Sequence, residues 1–417
     1  MVRLGSVRVG KRARVGTRSM LGPGAVVGAD AEVAPGSAVL GAVPEGEFWS
    51  GSPAHRVSGD ARGPWSDRPA GRPAWVAAYA VVGLALSLLP AVGVLAGAGA
   101  ALLAADLRGV DGPGGLLVAL LPWVVPGTVV GWLVVALLVL AVVRLCGAGL
   151  EAGVHPVRSL AALRVWATMR VLDDARTWLF PLYSSSLTPR WLRLLGARIG
   201  ADVEASTVLM VPSMTTVGEQ AFLADDTLIG GYELGGGWLR VERVKVGKRS
   251  FVGNSGMAAP GRKVPKRALV AVLSAAPNRK SARKGESWLG SPPALLRRAS
   301  ELADDSRTFA PPTSLRVARA AWELARVLPL ALSVLLHAVV GLVTLWALGA
   351  AGPVVAVLLL GPLLVAAGVL AAGVTTAAKW LLVGRHRPGH HPLWSSFVWR
   401  NELADTFVEV LAAPWFA

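Results

Sequence analysis

Val9-Gly-Lys-Arg-Ala-Arg14, Val15-Gly-Thr-Arg-Ser-Met20, Leu21-Gly-Pro-Gly-Ala-Val26, Val27-Gly-Ala-Asp-Ala-Glu32 and Val33-Ala-Pro-Gly-Ser-Ala38, followed by Val39, place an aliphatic residue at every sixth position. A small residue (Ala13, Ser19, Ala25, Ala31, Ser37) stands two places before each of the following aliphatics. This hexapeptide rhythm is that of a left-handed parallel β-helix, in which the aliphatic side chain points inward and each repeat forms one face of a triangular coil. Glycine after the aliphatic residue suits a corner that needs either positive φ or close backbone approach.

The rhythm returns at Ile199, Ala205, Val211, Val217, Leu223 and Ile229, and again at Val246, Val252, Ala258, Val264 and Val270. From Ile229 to Val246 there are 17 positions where six are expected, so a loop within 230–245 is predicted to project from the coil. Insertions on repeat scaffolds often form the binding face. Both coils end alike, at Trp49-Ser-Gly-Ser-Pro53 and Trp288-Leu-Gly-Ser-Pro292.

Long uncharged stretches separate the coils. The chain has 417 residues, of which 53% are hydrophobic and 16% charged, well short of the charge of a soluble domain. No charged residue occurs from Pro73 to Ala105, from Gly112 to Val143, or from Val327 to Ala378, and about 20 apolar residues cross a bilayer. The third stretch is long enough for two helices, with Gly349-Ala-Ala-Gly-Pro353 as the turn, giving four spans in two hairpins. Basic residues flank the outer ends of both hairpins (Arg56, Arg62, Arg68, Arg72; Arg144, Arg158, Arg164, Arg170; Arg316, Arg319, Arg326; Lys379, Arg385, Arg387), which puts the soluble parts in the cytoplasm of a multi-pass protein of a bacterial plasma membrane. No signal peptide is expected, because the first apolar run begins after residue 70. His337 is the ionisable group within a span, expected as a neutral His bonded to a neighbouring helix.

The expected order is a partial coil with its tail (1–57), hairpin 1 (73–145), an amphipathic connector (146–195), a second coil (196–295), hairpin 2 (327–381) and a connector (382–417) leading to a third coil. Val165-Trp166 and Val398-Trp399 open matching connectors, so the chain reads as a window on a longer tandem array. A net charge of +16 beside membrane spans points to anionic headgroups of the lipid bilayer rather than to nucleic acid. The single cysteine, Cys146, excludes a disulfide framework and a Cys-based zinc site, and no metal is expected.

Coils closed by Trp-x-Gly-Ser-Pro tails resemble the acyltransferases of the left-handed β-helix superfamily. Their alternation with hairpins, together with Phe222-Leu-Ala-Asp-Asp-Thr-Leu-Ile-Gly-Gly-Tyr-Glu-Leu-Gly-Gly-Gly-Trp238 and Gly253-Asn-Ser-Gly-Met257, resembles the membrane-embedded C-terminal region of nonribosomal peptide synthetases of the ε-poly-lysine synthetase type. That resemblance implies coils that join a carrier-bound amino acid to a free one or handle the product. It also implies adenylation and carrier domains on another polypeptide or missing from this one, and a phosphopantetheine arm supplied by the carrier, with no cofactor bound by this chain itself.

A coil histidine serves as base in ordinary members of the acyltransferase superfamily, yet no His occurs before His55 or between His155 and His337. The candidate catalytic residues are therefore Asp225, Asp226 and Asn254: a carboxylate would take a proton from an attacking amine, and an amide donor would face an oxyanion. Tyr232, Glu233, Trp238 and Ser255 are candidate substrate contacts, and Arg262, Lys263, Lys266, Arg267, Arg279 and Lys280 candidate phosphate or lipid contacts. Two other readings stay open, a membrane-bound acyltransferase using acyl-coenzyme A and a non-catalytic, truncated scaffold. A homo-oligomer is expected, since an uncapped coil presents an open strand edge.

Overall fold

A computed structural model describes residues 4–60, 69–183, 185–278, 282–297, 309 and 311–416, the side chains of 58–60 excepted. The helices, in chain order, are α1 (Ala74–Ser87), α2 (Leu89–Ala104), α3 (Gly112–Leu120), α4 (Val124–Gly147), α5 (Leu160–Trp178), α6 (Thr188–Leu194), α7 (Thr313–Leu324), α8 (Val327–Leu382) and α9 (Ser396–Thr406). The chain forms two compact units: Met1–Gly83 with Val142–Asp173 and Leu187–Glu301, and Leu84–Ala141 with Asp174–Ser186 and Leu302–Ala417.

The first unit holds both coils. Short strands pair in parallel one turn apart: Val9 on Val27, Val15 on Val33 and Leu21 on Val39 in the first, Ile199 on Val217 and Val252 on Val270 in the second. The offset is 18 residues, three hexapeptides, so each turn of chain contributes one strand to each of three sheets. Inward side chains such as Val27, Val33, Leu223, Ile229, Val246, Val252, Val264 and Val270 are buried, each worth roughly 1.5–3 kcal/mol. Glycine after the inward residue is required by close approach. A Cβ on Gly247 would lie 2.5 Å from the backbone nitrogen of Lys266, and one on Gly218 2.6 Å from that of Lys248. Positive φ falls two places later, on Arg12, Arg18, Asp30, Asp202, Gln220, Asp226, Arg249, Ser255 and Arg267 among others.

Both tails return as antiparallel strands after a cis Ser–Pro bond, Ala54–Asp60 against Glu47–Gly51 and Ala294–Leu296 against Ser287–Leu289. One inward position differs from the sequence expectation. Met210, not Val211, pairs with Ile229, because a 3-10 turn at Pro212–Met214 takes up a residue and shifts the strand. The segment 230–245 is also more ordered than a projecting loop. Glu233–Gly235 and Trp238–Val241 make a hairpin, and Gly153–Pro156 adds a third antiparallel strand to it. Leu239 and Val241 are buried there with Ala162, Val165 and Met169 of α5. Two hydrogen bonds tie the segment after the first coil to the start of α5 within this unit: Arg158 donates to the Gly71 carbonyl at 2.9 Å, and the Tyr79 hydroxyl to that of Val157 at 2.7 Å.

In the second unit, α2 crosses the following apolar helix through four glycines. A Cβ on Gly97 would lie 2.5 Å from the Gly127 carbonyl oxygen, and one on Gly131 2.6 Å from that of Gly93. This is small-residue packing of the kind that lets membrane helices touch at backbone distance. Among the described residues, three helical stretches are long and apolar enough to cross a membrane: Ala74–Ala104, Gly112–Gly147 and Thr313–Leu382. Four separate spans are not resolved as such, for the third stretch runs on through Pro353 and Pro362. Within α8 the helical conformation breaks at Gly352, with φ 84° and ψ 174°.

The C-terminal connector lies against α8, with Leu403, Phe407 and Leu411 buried on Ala371. His337 keeps its Nδ1 2.7 Å from the Ser333 carbonyl of its own helix and stacks on Trp415, the ring centroids 4.3 Å apart. An ionic network closes the base of α7 and α8. Arg326, 2% exposed, donates to Glu402 at 2.9 Å, while Arg319 donates to Glu323 at 3.0 Å and lies over the Trp394 ring. Glu323 also accepts from the Ser186 amide at 2.7 Å.

Candidate functional site

The second coil is a prism with three edges, and the structure distributes the candidate residues over all of them. The first edge joins the sheet containing Leu223 and Val252 to the sheet containing Ile229 and Ala258. Asp225, Asp226, Asn254 and Ser255 come together here on successive turns: the Ser255 amide donates to the Asp225 carbonyl at 2.9 Å and its hydroxyl to Asp226 Oδ2 at 3.0 Å. The Asp226 amide in turn donates to Thr207 Oγ1 at 2.8 Å, and Ser206 donates to Asp225 Oδ1. Asn254 is exposed.

Sequence reading gave no signal for what reaches this edge from the first coil. Arg18 makes an ion pair with Asp226 at 2.9 Å and donates to the carbonyls of Ser255, at 2.7 Å, and Asp226. Beside it the Ser291 hydroxyl donates to the Pro35 carbonyl at 2.5 Å, and the Met257 methyl group packs against Gly36. The acidic edge is thus clasped between the two coils. Replacing Arg18 by Ala is expected to loosen the first coil and speed proteolysis between residues 4 and 60 at least threefold, with the second coil still protected; an unchanged cleavage pattern would contradict the clasp.

The second edge carries the inserted hairpin. Tyr232 is half-buried against the α5 cluster rather than lining an open groove. Burial pushes its phenol above the ordinary tyrosine range. Because the folded pKa is raised, the stabilisation is complete below about pH 10 and is lost as pH rises through the folded value. With three tyrosines in the chain, Tyr232→Phe is expected to remove a late step from an alkaline phenolate-absorbance titration. Glu233 pairs with Arg240 at 3.1 Å, and Arg240 with Glu242 at 2.8 Å, so the candidate carboxylate is held within the hairpin. Trp238 pairs across to Gly235 and Pro156. His155 arrives on the added strand opposite Leu239, its Nε2 3.1 Å from the Glu151 carbonyl. A histidine therefore does lie beside the coil, outside the repeats in which one was sought.

The third edge is cationic. Lys248, Arg249, Lys266, Arg267 and Lys284 surround a cleft of about 390 Å³, which continues past Lys245 and Lys263 into a groove of about 700 Å³. Lys248 bonds Glu219 at 2.6 Å and holds that carboxyl below the usual range. Arg262 follows the corner at Gly261, and Arg279 and Lys280 lie outside the described residues. Among the described residues, no group of three or more His, Cys, Asp or Glu is placed to hold a metal ion.

No protein-family profile matches the chain. Over 391 residues, 90% of its length, it is 30% identical to a delta-poly-L-ornithine synthetase of Acinetobacter baumannii (strain AB307-0294). The chain is similar to part of a poly-amino-acid synthetase. It spans 29% of the length of that relative. Among solved structures, a hexapeptide-repeat-containing acetyltransferase from Vibrio cholerae shares 14% identity at a TM-score of 0.23, covering 32% of this chain and 93% of its own. A maltose O-acetyltransferase from Clostridium difficile 630 shares 13% at 0.25, with 36% and 95% covered. A galactoside acetyltransferase in complex with coenzyme A shares 11% at 0.24, with 33% and 83% covered.

Proposed function

We propose that the chain is the membrane-embedded terminal region of a nonribosomal poly-amino-acid synthetase, which forms the amide bond between a carrier-bound and a free amino acid or passes the product on. The observation that carries this reading is the 30% identity with a poly-ornithine synthetase over 391 residues, a length that takes in coil, connector and apolar helices together. In this reading the break at Gly352 is the turn of a second hairpin, since 56 helical residues in one rod would reach about 84 Å, far beyond a ~30 Å hydrocarbon core. In this reading both coils lie on the cytoplasmic side of the plasma membrane, a location that the basic flanks of the apolar stretches support.

The acidic edge is the proposed reaction site. The free amine attacks the thioester carbonyl of the phosphopantetheine-bound residue; the C–N bond forms, the C–S bond breaks and the thiol leaves protonated. Asp225 or Asp226 holds the substrate ammonium and takes its proton, and the Asn254 amide faces the developing oxyanion. Adenylation and loading of the carrier occur on other domains.

A second reading, a non-catalytic scaffold, is favoured by the engagement of Asp226 with Arg18. The two are separated by giving the chain, in membranes, an aminoacyl-loaded carrier protein and free amino acid, and following product by mass spectrometry. Peptide product that falls at least a hundredfold on Asp225→Asn or Asn254→Ala supports the first reading. Absence of product, while a full-length relative works in the same assay, supports the scaffold; product from acetyl-coenzyme A alone would favour an acyltransferase.

A further inference from the structure

The cationic edge has no part in the amide-forming chemistry proposed above, and its construction is regular. Lys248, Lys266 and Lys284 are 18 residues apart, as are Arg249 and Arg267, and Lys245 pairs directly with Lys263 on the adjoining strands. One turn of the coil thus returns the same kind of charge to the same edge, at a rung spacing of about 4.8 Å. The backbones are fixed rung on rung: the Arg267 amide donates to the Lys248 carbonyl at 2.9 Å and the Gly285 amide to that of Lys266 at 3.0 Å. Arg249 and Arg267 sit at φ 53° and 59°. That left-handed conformation is uncommon for a long side chain, and both arginines line the cleft with the lysine column.

Like charges stacked at this spacing repel one another; Lys248 is paired with Glu219 at the start of the groove and Arg249 donates to Gln220 Oε1 at 2.7 Å, while Lys266 and Lys284 continue the column beyond them. Among the described residues, the five that line the inner cleft are all cationic. An anion relieves that repulsion. Lysine and arginine columns in a recess suit phosphate, lysine as a compact point charge and arginine as a planar fork. A single phosphate meets one or two rungs, whereas phosphates joined in line meet three. A bilayer presents a plane rather than an insert for a recess, and the cleft is too small for a nucleic-acid duplex.

We propose that the Lys248–Lys266–Lys284 edge is a binding site for condensed phosphate, a chain of two or more linked phosphates lying along the coil axis, either free or as the polyphosphate part of a nucleotide-type molecule. The site is independent of the amide-forming reading, and its test needs no activity.

The purified full chain in detergent is titrated calorimetrically with sodium triphosphate, orthophosphate and ATP at low salt. Triphosphate is expected to bind saturably at one site, at least tenfold more tightly than orthophosphate and more weakly as salt is raised. ATP binding tenfold more tightly than triphosphate would identify a nucleotide-type source; equal or weaker binding would identify the phosphate chain itself. Lys266→Gln with Lys284→Gln is expected to weaken triphosphate at least tenfold with unchanged melting temperature, and Arg8→Gln with Lys11→Gln on the first coil to leave it unchanged. Equal affinity for triphosphate and orthophosphate, or an equal loss in both double variants, overturns the proposal. So does complete displacement of triphosphate by vesicles rich in phosphatidylglycerol but not by phosphatidylcholine vesicles, which would assign the edge to lipid headgroups.

Discussion

Replacing Glu402 by Ala is expected to destabilise the second unit by about 3–5 kcal/mol, because a buried ion pair is broken on one side only. Arg326 is 2% exposed and faces the Glu402 carboxylate at 2.9 Å; without that carboxylate a desolvated guanidinium stays in place. Losing both charges should cost far less than losing one, since apolar replacements of similar volume often match a buried pair. Arg326→Met with Glu402→Leu is therefore expected to recover most of the stability lost in Glu402→Ala. Chemical unfolding in detergent, followed through the tryptophans, measures both. A single variant within about 1 kcal/mol of the parent would show that water reaches this network.

The second large effect concerns the glycine crossing. In Gly97→Leu the first side-chain carbon alone would lie 2.5 Å from the Gly127 carbonyl oxygen, a contact relieved only if the two helices move apart. Overpacking of this kind costs typically 1–3 kcal/mol and more where backbone opposes backbone. Gly99 is the internal control, being in the same helix with nothing within 4 Å of its Cβ position. Gly99→Leu is expected to unfold with the parent and Gly97→Leu well before it. Equal midpoints for the two would mean that the crossing has no energetic weight.

The coils were legible because their period is a geometrical necessity: one residue in six points inward, and at positions such as Gly200, Gly218 and Gly247 the close approach of the next turn leaves no room for a Cβ after it. The sequence also showed where the apolar stretches lie, though not how α2 crosses its neighbour, since Gly93, Gly97, Gly127 and Gly131 stand among many other glycines. Met210 was missed because a six-residue count cannot register a 3-10 turn that adds a residue between two faces. The hairpin within 230–245 was read as a projecting loop because its third strand, Gly153–Pro156, comes from a distant part of the chain.

The candidate site was half visible. Asp225, Asp226, Asn254 and Ser255 do share an edge, whereas Tyr232, Glu233 and Trp238 belong to another. Arg18 could not be found, for nothing local distinguishes it from Arg12, which occupies the same position one repeat earlier and pairs with Asp30 inside its own coil. The cation column was present in the numbering all along, but a scan for runs of charge follows the chain, and the column runs across it.

The contact between Gly71 and Arg158 bears on how the protein is partitioned. Met1–Gly83, Val142–Asp173 and Leu187–Glu301 belong to a single compact unit, so Leu84–Ala141 is, in chain order, an insertion into it. Inserted segments whose ends meet can be exchanged for short linkers without threading the host anew. The two coils and their clasp thus form a body whose continuity is spatial rather than sequential, and the apolar helices inserted in the chain between them can be gained or lost while the rungs on either side keep their register.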